Sequence, residues 1–182
     1  MEHSDYRVII LAAGNSQRLV NLTNDKPKCF LDIRGQRIID YHLEHLNERG
    51  FKQITIVVGY LRELFMETIG NSYKNLTINY VISEDYATTN HSWSLFLTRQ
   101  TGQTEQSPVL VIHADVFYDP KILDKLLLSN YDNSTSVDNT YRVETGDECV
   151  VRGLDDIVSS IEFDSEKQAP LIVGESVSYT HL

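Results

Sequence analysis

The stretch VIILAAGNSQRL, residues 8–19, decides the fold class of this chain of 182 residues. Its first four residues are all apolar, which is typical of a parallel strand that is buried on both faces. Small residues follow at once around Gly14, and such a loop lets backbone N–H groups approach a phosphate chain closely. In α/β proteins, loops of this kind lie at the ligand-binding edge of the sheet. The stretch therefore predicts a buried strand followed by a loop that can bind an anion.

Two basic residues accompany this loop. Arg18 can grip a phosphate through two parallel hydrogen bonds, and Lys28 can add a point charge. The loop lacks the glycine-lysine-serine/threonine ending of a Walker loop, and it lacks the three glycines of a dinucleotide fingerprint. On these residues alone, a phosphate site and a surface loop with ordinary basic side chains are equally well supported.

The rest of the chain alternates between strand-like and helix-like segments. Apolar runs predict strands at residues 54–58, 76–82 and 109–112, apolar spacing predicts helices near residues 39–46 and 61–69, and short strands are expected at 148–152, 157–163 and 171–173. Ser92 is expected to cap a further helix in which Trp93 packs into the core, and Asp119-Pro120 predicts another helix start. This order predicts an α/β fold with a Rossmann-like, three-layer architecture and a mixed, mainly parallel central sheet.

Composition excludes several classes of function. Sixteen basic residues against 26 acidic ones give a formal net charge of −10, whereas a nucleic-acid binder needs a basic surface. The two cysteines, Cys29 and Cys149, are too few for a disulfide framework or a cysteine-rich zinc site. Apolar runs are too short for a membrane span, and the first five residues lack the basic flank of a signal peptide. We therefore expect a cytoplasmic protein that inserts into no membrane and binds no nucleic acid.

The end of the chain differs from the rest. Residues 1–175 are predicted to form one domain that is incomplete at its C-terminus. Residues 176–182 are polar and show neither helical nor strand periodicity, so we expect an irregular or foreign tail there.

A longer set of motifs resembles a known family. LAAGNSQRL at residues 11–19, KPK at 26–28 and FLDIRG at 30–35 resemble the opening of sugar-phosphate and choline-phosphate nucleotidylyltransferases. The resemblance continues through IIDY at 38–41 and VVGY at 57–60, with Ser16 standing where many members have a second glycine. Membership implies the nucleotidyltransferase fold and an enzyme that joins a nucleoside triphosphate to a small phosphorylated acceptor, releasing pyrophosphate.

The resemblance also implies roles for individual residues. Arg18 and Lys28 would be the catalytic cations, and Asp115, just past a buried strand, would bind Mg²⁺. The residues expected to bind the nucleotide are Leu11, Ala12, Ala13, Gly14, Asn90 and Ser94. A second metal aspartate stays unassigned, since Asp138, Asp147, Asp155 and Asp164 have no matching context. His113 is expected to pack sideways on its strand, with no metal or base role.

Residues 90–95, NHSWSL, bear on the substrate. They resemble the choline-phosphate cytidylyltransferases more than the sugar enzymes, so CTP and an acceptor such as phosphocholine are favoured. Two alternatives stay open: a sugar-1-phosphate nucleotidylyltransferase using UTP, dTTP or GTP, and a catalytically inactive nucleotide-binding domain.

Overall fold

The computed structural model describes residues 6–15, 25–100 and 107–129, together with strands at 133–136, 149–154, 157–163, 173–174 and 177–180. The chain divides into two compact units, Met1–Pro120 with Thr180–Leu182 and Lys121–Tyr179. The single domain predicted for residues 1–175 thus draws on both units. Every predicted site residue belongs to the first unit.

The first unit alternates strands and helices, as the sequence predicts. Its strands are β1 (Arg7–Ala12), β2 (Asp32–Ile33), β3 (Gln36–Arg37), β4 (Gln53–Val58), β5 (Ser72–Tyr73), β6 (Leu76–Ile82) and β7 (Val109–His113). Its helices are α1 (Ile38–Glu48), α2 (Arg62–Ile69) and α3 (His91–Leu97), and short 3₁₀ turns cover Lys28–Phe30 and Thr98–Gln100. Helix α1 ends before Gly50, which adopts φ of 79°, as expected for a glycine that terminates a helix.

Five strands of this unit lie in one sheet in the order β5-β6-β4-β1-β7, while β2 and β3 form a separate antiparallel pair. Strand β1 pairs in parallel with β4 and with β7, and β4 pairs in parallel with β6. Only the short β5 joins antiparallel, at the β6 edge of these strands. Val8 lies opposite Leu110, so the predicted neighbouring parallel strands and the mainly parallel sheet are confirmed.

The sheet is buried on both faces at β1, which explains its apolar run. Ile9 and Ile10 point to opposite faces, and each is at most 2% exposed. One face carries a cluster to which Val57, Val111 and the partly buried Leu95 of α3 contribute. Helix α1 buries Ile39, Leu43 and Leu46 at helical spacing, which is the amphipathic pattern that predicts it.

The start of α3 corrects two predictions. Asn90, not Ser92, is the N-cap residue, and its Oδ1 accepts a hydrogen bond from the Trp93 N–H at 3.2 Å. The helix begins at His91, and within it Ser94 is buried whereas Trp93 lies on the exposed face. Trp93 is therefore 39% exposed and stacks on Phe96 with ring centroids 5.2 Å apart, so its predicted core position is wrong.

The chain past β7 is rich in strands, as predicted. Helix α4 (Pro120–Leu127) begins at the proline expected to start it. The strands are β8 (Asn133–Ser136), β9 (Cys149–Leu154), β10 (Ile157–Phe163), β11 (Val173–Gly174) and β12 (Val177–Thr180), and β9 pairs antiparallel with β10 and β11. Strand β12 lies where an irregular tail was expected, because valine, tyrosine and threonine favour strands. No helix in the described part of the chain is long and apolar enough to cross a bilayer.

Candidate active site

Strands β1 and β7 are neighbours in the sheet, and their carboxyl ends lie side by side. At this point the order in which the chain adds strands to the sheet changes direction. The chain passes from β1 outward to β4 and β6, and then returns to place β7 on the other side of β1. Leu11 lies opposite His113, and the Ala114 N–H donates to the Leu11 carbonyl at 3.0 Å. At such a reversal the connections diverge and leave a crevice at the carboxyl ends of the strands, where α/β sheets bind ligands. The predicted phosphate loop and Asp115 both lie at this edge.

The loop after β1 is held by close packing from β4. The Tyr60 N–H donates to the Ala13 carbonyl at 3.0 Å. A Cβ atom on Gly59 would lie 2.7 Å from the Tyr86 Cβ and 2.8 Å from the Ala13 carbonyl oxygen, so only glycine permits this approach. At Gly14, by contrast, a Cβ atom would meet no described atom within 4 Å. Among the described residues, the loop is thus anchored at Ala13 and uncovered at Gly14.

Lys28 and Asp115 meet at this edge. Lys28 lies on the 3₁₀ turn after Pro27, and its Nζ donates to the Asp115 Oδ2 at 2.5 Å. Both side chains are about one-third exposed, at 36% and 37%. Burial alone would raise the pKa of Asp115, but the hydrogen bond and charge of Lys28 outweigh it and leave that pKa below its usual value. Asp115 is therefore an ionised carboxylate at neutral pH, open to solvent and to a ligand.

Among the described residues, Asp115 is the one carboxylate at this site that could bind a metal ion. The described residues contain no group of three or more His, Cys, Asp or Glu side chains that could hold a metal ion. Cys29 is buried, and burial together with the nearby Asp115 raises the pKa of its thiol, so it is a neutral packing residue. A lone carboxylate fits a hard cation such as Mg²⁺, which takes its other ligands from water and substrate phosphates. Asp138, Asp147, Asp155 and Asp164 lie outside the described residues.

The two predicted residues of α3 lie in different environments. Asn90 is exposed at the start of the helix, and its Oδ1 is engaged in the cap. Ser94 is 6% exposed, and its N–H donates to the Asn90 carbonyl at 3.2 Å. The amide group of Asn90 is therefore exposed, with its oxygen held in the cap, whereas Ser94 packs inside. Arg18 and Ser16 lie outside the described residues, so the predicted role of Arg18 stays a prediction.

Sequence reasoning set aside one residue that the structure brings to this edge. His113, the last residue of β7, faces His91 of α3 with ring centroids 4.6 Å apart and planes at 84°. Burial and the neighbouring His91 lower the pKa of His113, against a smaller opposing effect of Asp115. His113 is therefore neutral at pH 7. Its position two residues before Asp115 was the available signal, but its partner could not be read from the sequence.

Comparison with curated proteins gives relatives of one kind. The chain is 31% identical to CMP-5′-(3-aminopropyl)phosphonate synthase of Streptomyces rubellomurinus over 163 residues, or 90% of this chain and 25% of the relative. It is 35% identical to choline-phosphate cytidylyltransferase of Streptococcus pneumoniae over 109 residues, or 60% and 44% of the two chains. It is 32% identical to UTP–glucose-1-phosphate uridylyltransferase of Haloferax volcanii over 74 residues, or 41% and 30%. The chain thus spans less than half the length of each of these relatives.

Solved structures and a family profile agree with them. The inositol-1-phosphate CTP transferase of T. maritima matches with a TM-score of 0.73 and 19% identity, covering 96% of this chain and 69% of that one. The CTP:phosphocholine cytidylyltransferase of Streptococcus pneumoniae matches with a TM-score of 0.63 and 27% identity, covering 96% and 70%. These matches confirm the predicted Rossmann-like α/β fold. The profile of the Nucleotidyl transferase family matches residues 7–145, and this chain belongs to that family.

Proposed function

We propose that this chain is the nucleotide-binding part of a nucleotidylyltransferase that joins CTP to a small phosphorylated acceptor such as phosphocholine and releases pyrophosphate. The observation that carries the proposal is the Lys28–Asp115 pair beside the open loop at Gly14. A cation and an ionised carboxylate at the mouth of a phosphate loop match the two requirements of a triphosphate with its metal: neutralised phosphate oxygens and a metal ligand.

The proposed reaction needs positioning and charge more than covalent help from the protein. An acceptor phosphate oxygen attacks the α-phosphorus, a new P–O bond forms, and the bond to the β-phosphate oxygen breaks as pyrophosphate leaves. Two anions must approach each other, so neutralising their charge stabilises the transition state. Lys28 supplies a cation at this point, and Arg18 is proposed to supply a second.

Lys28 and Asp115 would exchange partners when the nucleotide binds. Lys28 Nζ would move from Asp115 Oδ2 to phosphate oxygens, which frees the carboxylate to bind a cation. Mg²⁺ held by Asp115 and the triphosphate would neutralise further charge during the transfer. The backbone N–H groups of Ala13 and Gly14 would lie along the phosphates, and the exposed amide of Asn90 would contact the base.

The preference for CTP is supported by two observations. Residues 90–95 resemble the cytidylyltransferase form of this segment, and two relatives that cover 90% and 73% of the chain carry CMP or CTP in their names. A sugar-1-phosphate nucleotidylyltransferase is the second candidate, and the uridylyltransferase among the relatives supports it. A nucleotide-binding domain without activity is the third.

The test is pyrophosphate release by the chain with CTP, UTP, dTTP and GTP, each combined with phosphocholine or glucose 1-phosphate, with and without Mg²⁺. We expect Mg²⁺-dependent release with CTP and phosphocholine. Asp115→Asn and Lys28→Ala should each reduce turnover by on the order of 100-fold or more, as loss of one transition-state contact does. Their melting temperatures should hardly change, because an ion pair this exposed contributes less than about 1 kcal/mol.

Lys74→Ala is the matched control. It removes a similar exposed ion pair, between Lys74 Nζ and Glu44 Oε2 at 2.5 Å, and should leave turnover unchanged. Release with UTP and glucose 1-phosphate alone would identify the second candidate. Nucleotide binding without release would identify the third, and failure of the chain to bind any of these triphosphates would overturn the proposal.

A further inference from the structure

The motif IIDY at residues 38–41 has no part in the proposed reaction, although it is one of those that resemble the family. In the structure it forms the first turn of α1. Its last residue, Tyr41, is half-buried and donates its hydroxyl to the Tyr118 carbonyl at 2.6 Å. The Tyr41 ring also packs on Phe117, with ring centroids 4.5 Å apart. The motif thus contacts the segment that follows Asp115.

Asp115 lies between two anchors of its backbone. Just before it, the Ala114 N–H donates to the Leu11 carbonyl of β1 at 3.0 Å. Just after it comes the bond from Tyr41 of α1 to the Tyr118 carbonyl. Helix α1 also holds this segment through Arg49 and the Pro120 carbonyl, but that contact lies farther along the chain. The Tyr41 hydroxyl is therefore the contact from α1 that restrains the backbone close to the carboxylate.

The same turn of α1 also acts on the segment that carries Lys28. Asp40 accepts two hydrogen bonds from the Arg37 guanidinium, at 2.6 and 2.9 Å. That guanidinium lies over the Phe30 ring, 5.0 Å from its centre, and Phe30 belongs to the 3₁₀ turn that begins with Lys28. One turn of α1 is thus linked to the segments of both partners of the Lys28–Asp115 pair, so it can set their spacing.

We propose that Tyr41 is a positioning residue, whose hydroxyl fixes the backbone after Asp115 and so places the carboxylate where Mg²⁺ on the nucleotide phosphates needs a protein ligand. This rests on the proposed function, which assigns the metal to Asp115 and the phosphates to Lys28 and Gly14. Mg²⁺ demands near-ideal octahedral geometry at short metal–oxygen distances. A carboxylate that is free to shift therefore binds it more weakly than one whose backbone is held.

The experiment measures the affinity of the chain for CTP by titration calorimetry, once with Mg²⁺ and once with EDTA in its place. The ratio of the two affinities reports how much the metal contributes to binding. Asp115→Asn removes the proposed ligand and should lower this ratio most. Tyr41→Phe removes one oxygen atom and keeps the ring, and it should lower the ratio roughly two- to tenfold, which is the value of one hydrogen bond.

Tyr80→Phe is the matched control. The Tyr80 hydroxyl donates to the Gly70 carbonyl, also at 2.6 Å, and neither residue belongs to the proposed site. Urea denaturation should show a similar loss of stability in Tyr80→Phe and Tyr41→Phe, because each variant loses one such bond. The ratio of CTP affinities should change only in Tyr41→Phe, since a hydroxyl with a merely structural role would affect stability alone.

A double-mutant cycle tests whether Tyr41 acts through Asp115. In a chain that already carries Asp115→Asn, Tyr41→Phe should not change the ratio further. If Tyr41→Phe does not fold, Phe117→Ala provides a second variant at a position that is 45% exposed. It removes the ring contact with Tyr41 from the other side and should lower the ratio in the same direction.

Three results would overturn the inference and leave the proposed function standing: an unchanged ratio in Tyr41→Phe, an equal fall in Tyr80→Phe, or an equal effect of Tyr41→Phe with and without Asp115→Asn. A ratio that Asp115→Asn does not lower would remove the metal role of Asp115 and the inference with it. Failure of the wild-type chain to bind CTP would overturn the proposed function and the inference together.

Discussion

Helices α1 and α3 are attached to the first unit in different ways. Five residues of α1 are buried: Ile38, Ile39, His42, Leu43 and Leu46. In α3 only Ser94 is buried, while Trp93 and Phe96 are 39% and 43% exposed. Burial of a large apolar side chain stabilises a fold by about 1.5–3 kcal/mol, so α1 contributes far more to stability than α3 does.

The polar contacts of the two helices differ in the same direction. Tyr41 of α1 donates its hydroxyl to the Tyr118 carbonyl at 2.6 Å, and Arg49 donates to the Pro120 carbonyl at 3.0 Å. Helix α1 thus holds the segment that follows Asp115. Helix α3 relies on its Asn90 cap, and presents Asn90 and His91 at the sheet edge. The comparison indicates that α1 fixes the position of the site, whereas α3 offers residues that can contact a ligand at little cost to the core.

The largest expected effect tests whether α1 carries the stability. Leu43→Ala should lower the free energy of unfolding by about 3 kcal/mol, because a fully buried leucine leaves a cavity that the core fills only in part. Phe96→Ala on α3 is the control and should cost only about 1 kcal/mol, since the residue is 43% exposed and loses chiefly its contacts with Trp93 and Arg99. Urea denaturation monitored by circular dichroism measures both. Equal losses in the two variants would show that α3 is as deeply integrated as α1.

Most of the fold could be predicted from the sequence because its signals are strong and local. The apolar run of β1 and the spacing of Ile39, Leu43 and Leu46 each allow one interpretation. The start of α3 does not, because Asn90 and Ser92 are both good N-cap residues.

The contacts of the candidate site also differ in whether the sequence could predict them. The proximity of Lys28 and Asp115 could be predicted from the family resemblance, because the lysine and the metal-binding carboxylate that it implies must reach the same phosphates. The meeting of His91 and His113 could not, since it depends on where α3 begins and on the pairing of β1 with β7. Such contacts are set by tertiary packing and leave no local trace in the sequence.

The second expected effect is a loss of stability at acidic pH that arises from His42, a buried residue of α1. Burial lowers the pKa of His42 from 6.5 to about 4, and the backbone of Ala114 and the charge of Asp115 oppose this only in part. Below pH 6.5, His42 therefore binds a proton in the unfolded chain, whereas in the folded chain it stays neutral until about pH 4. Stability should fall as the pH is lowered through this window, by about 2 kcal/mol at pH 5 from this residue alone.

His42→Phe should remove that part of the acid loss while the fold stays intact, since phenylalanine also suits a buried position beside the Tyr118 ring. The measurement is urea denaturation at pH 7 and pH 5 for both proteins. His45→Phe is the comparison on the same helix: it removes only a lesser cause of the lowered pKa of His42, so it should change the difference between the two pH values far less. An unchanged acid loss in His42→Phe would mean that other groups on the chain govern it.

The smallest expected effect concerns the N-cap of α3. It distinguishes Asn90 from Ser92 as the N-cap residue, which the sequence alone does not. Asn90→Ala removes the acceptor for the Trp93 N–H and should lower the free energy of unfolding by about 1 kcal/mol. Asn90→Ser keeps a side-chain oxygen at that position and should retain most of the stability, while Ser92→Ala should change nothing, because Ser92 is already inside the helix. Urea denaturation of the three variants against wild type provides the measurement. A loss confined to Ser92→Ala would place the start of α3 two residues later. Full stability in all three would instead mean that the contact of Leu95 with the sheet cluster holds α3 without its cap.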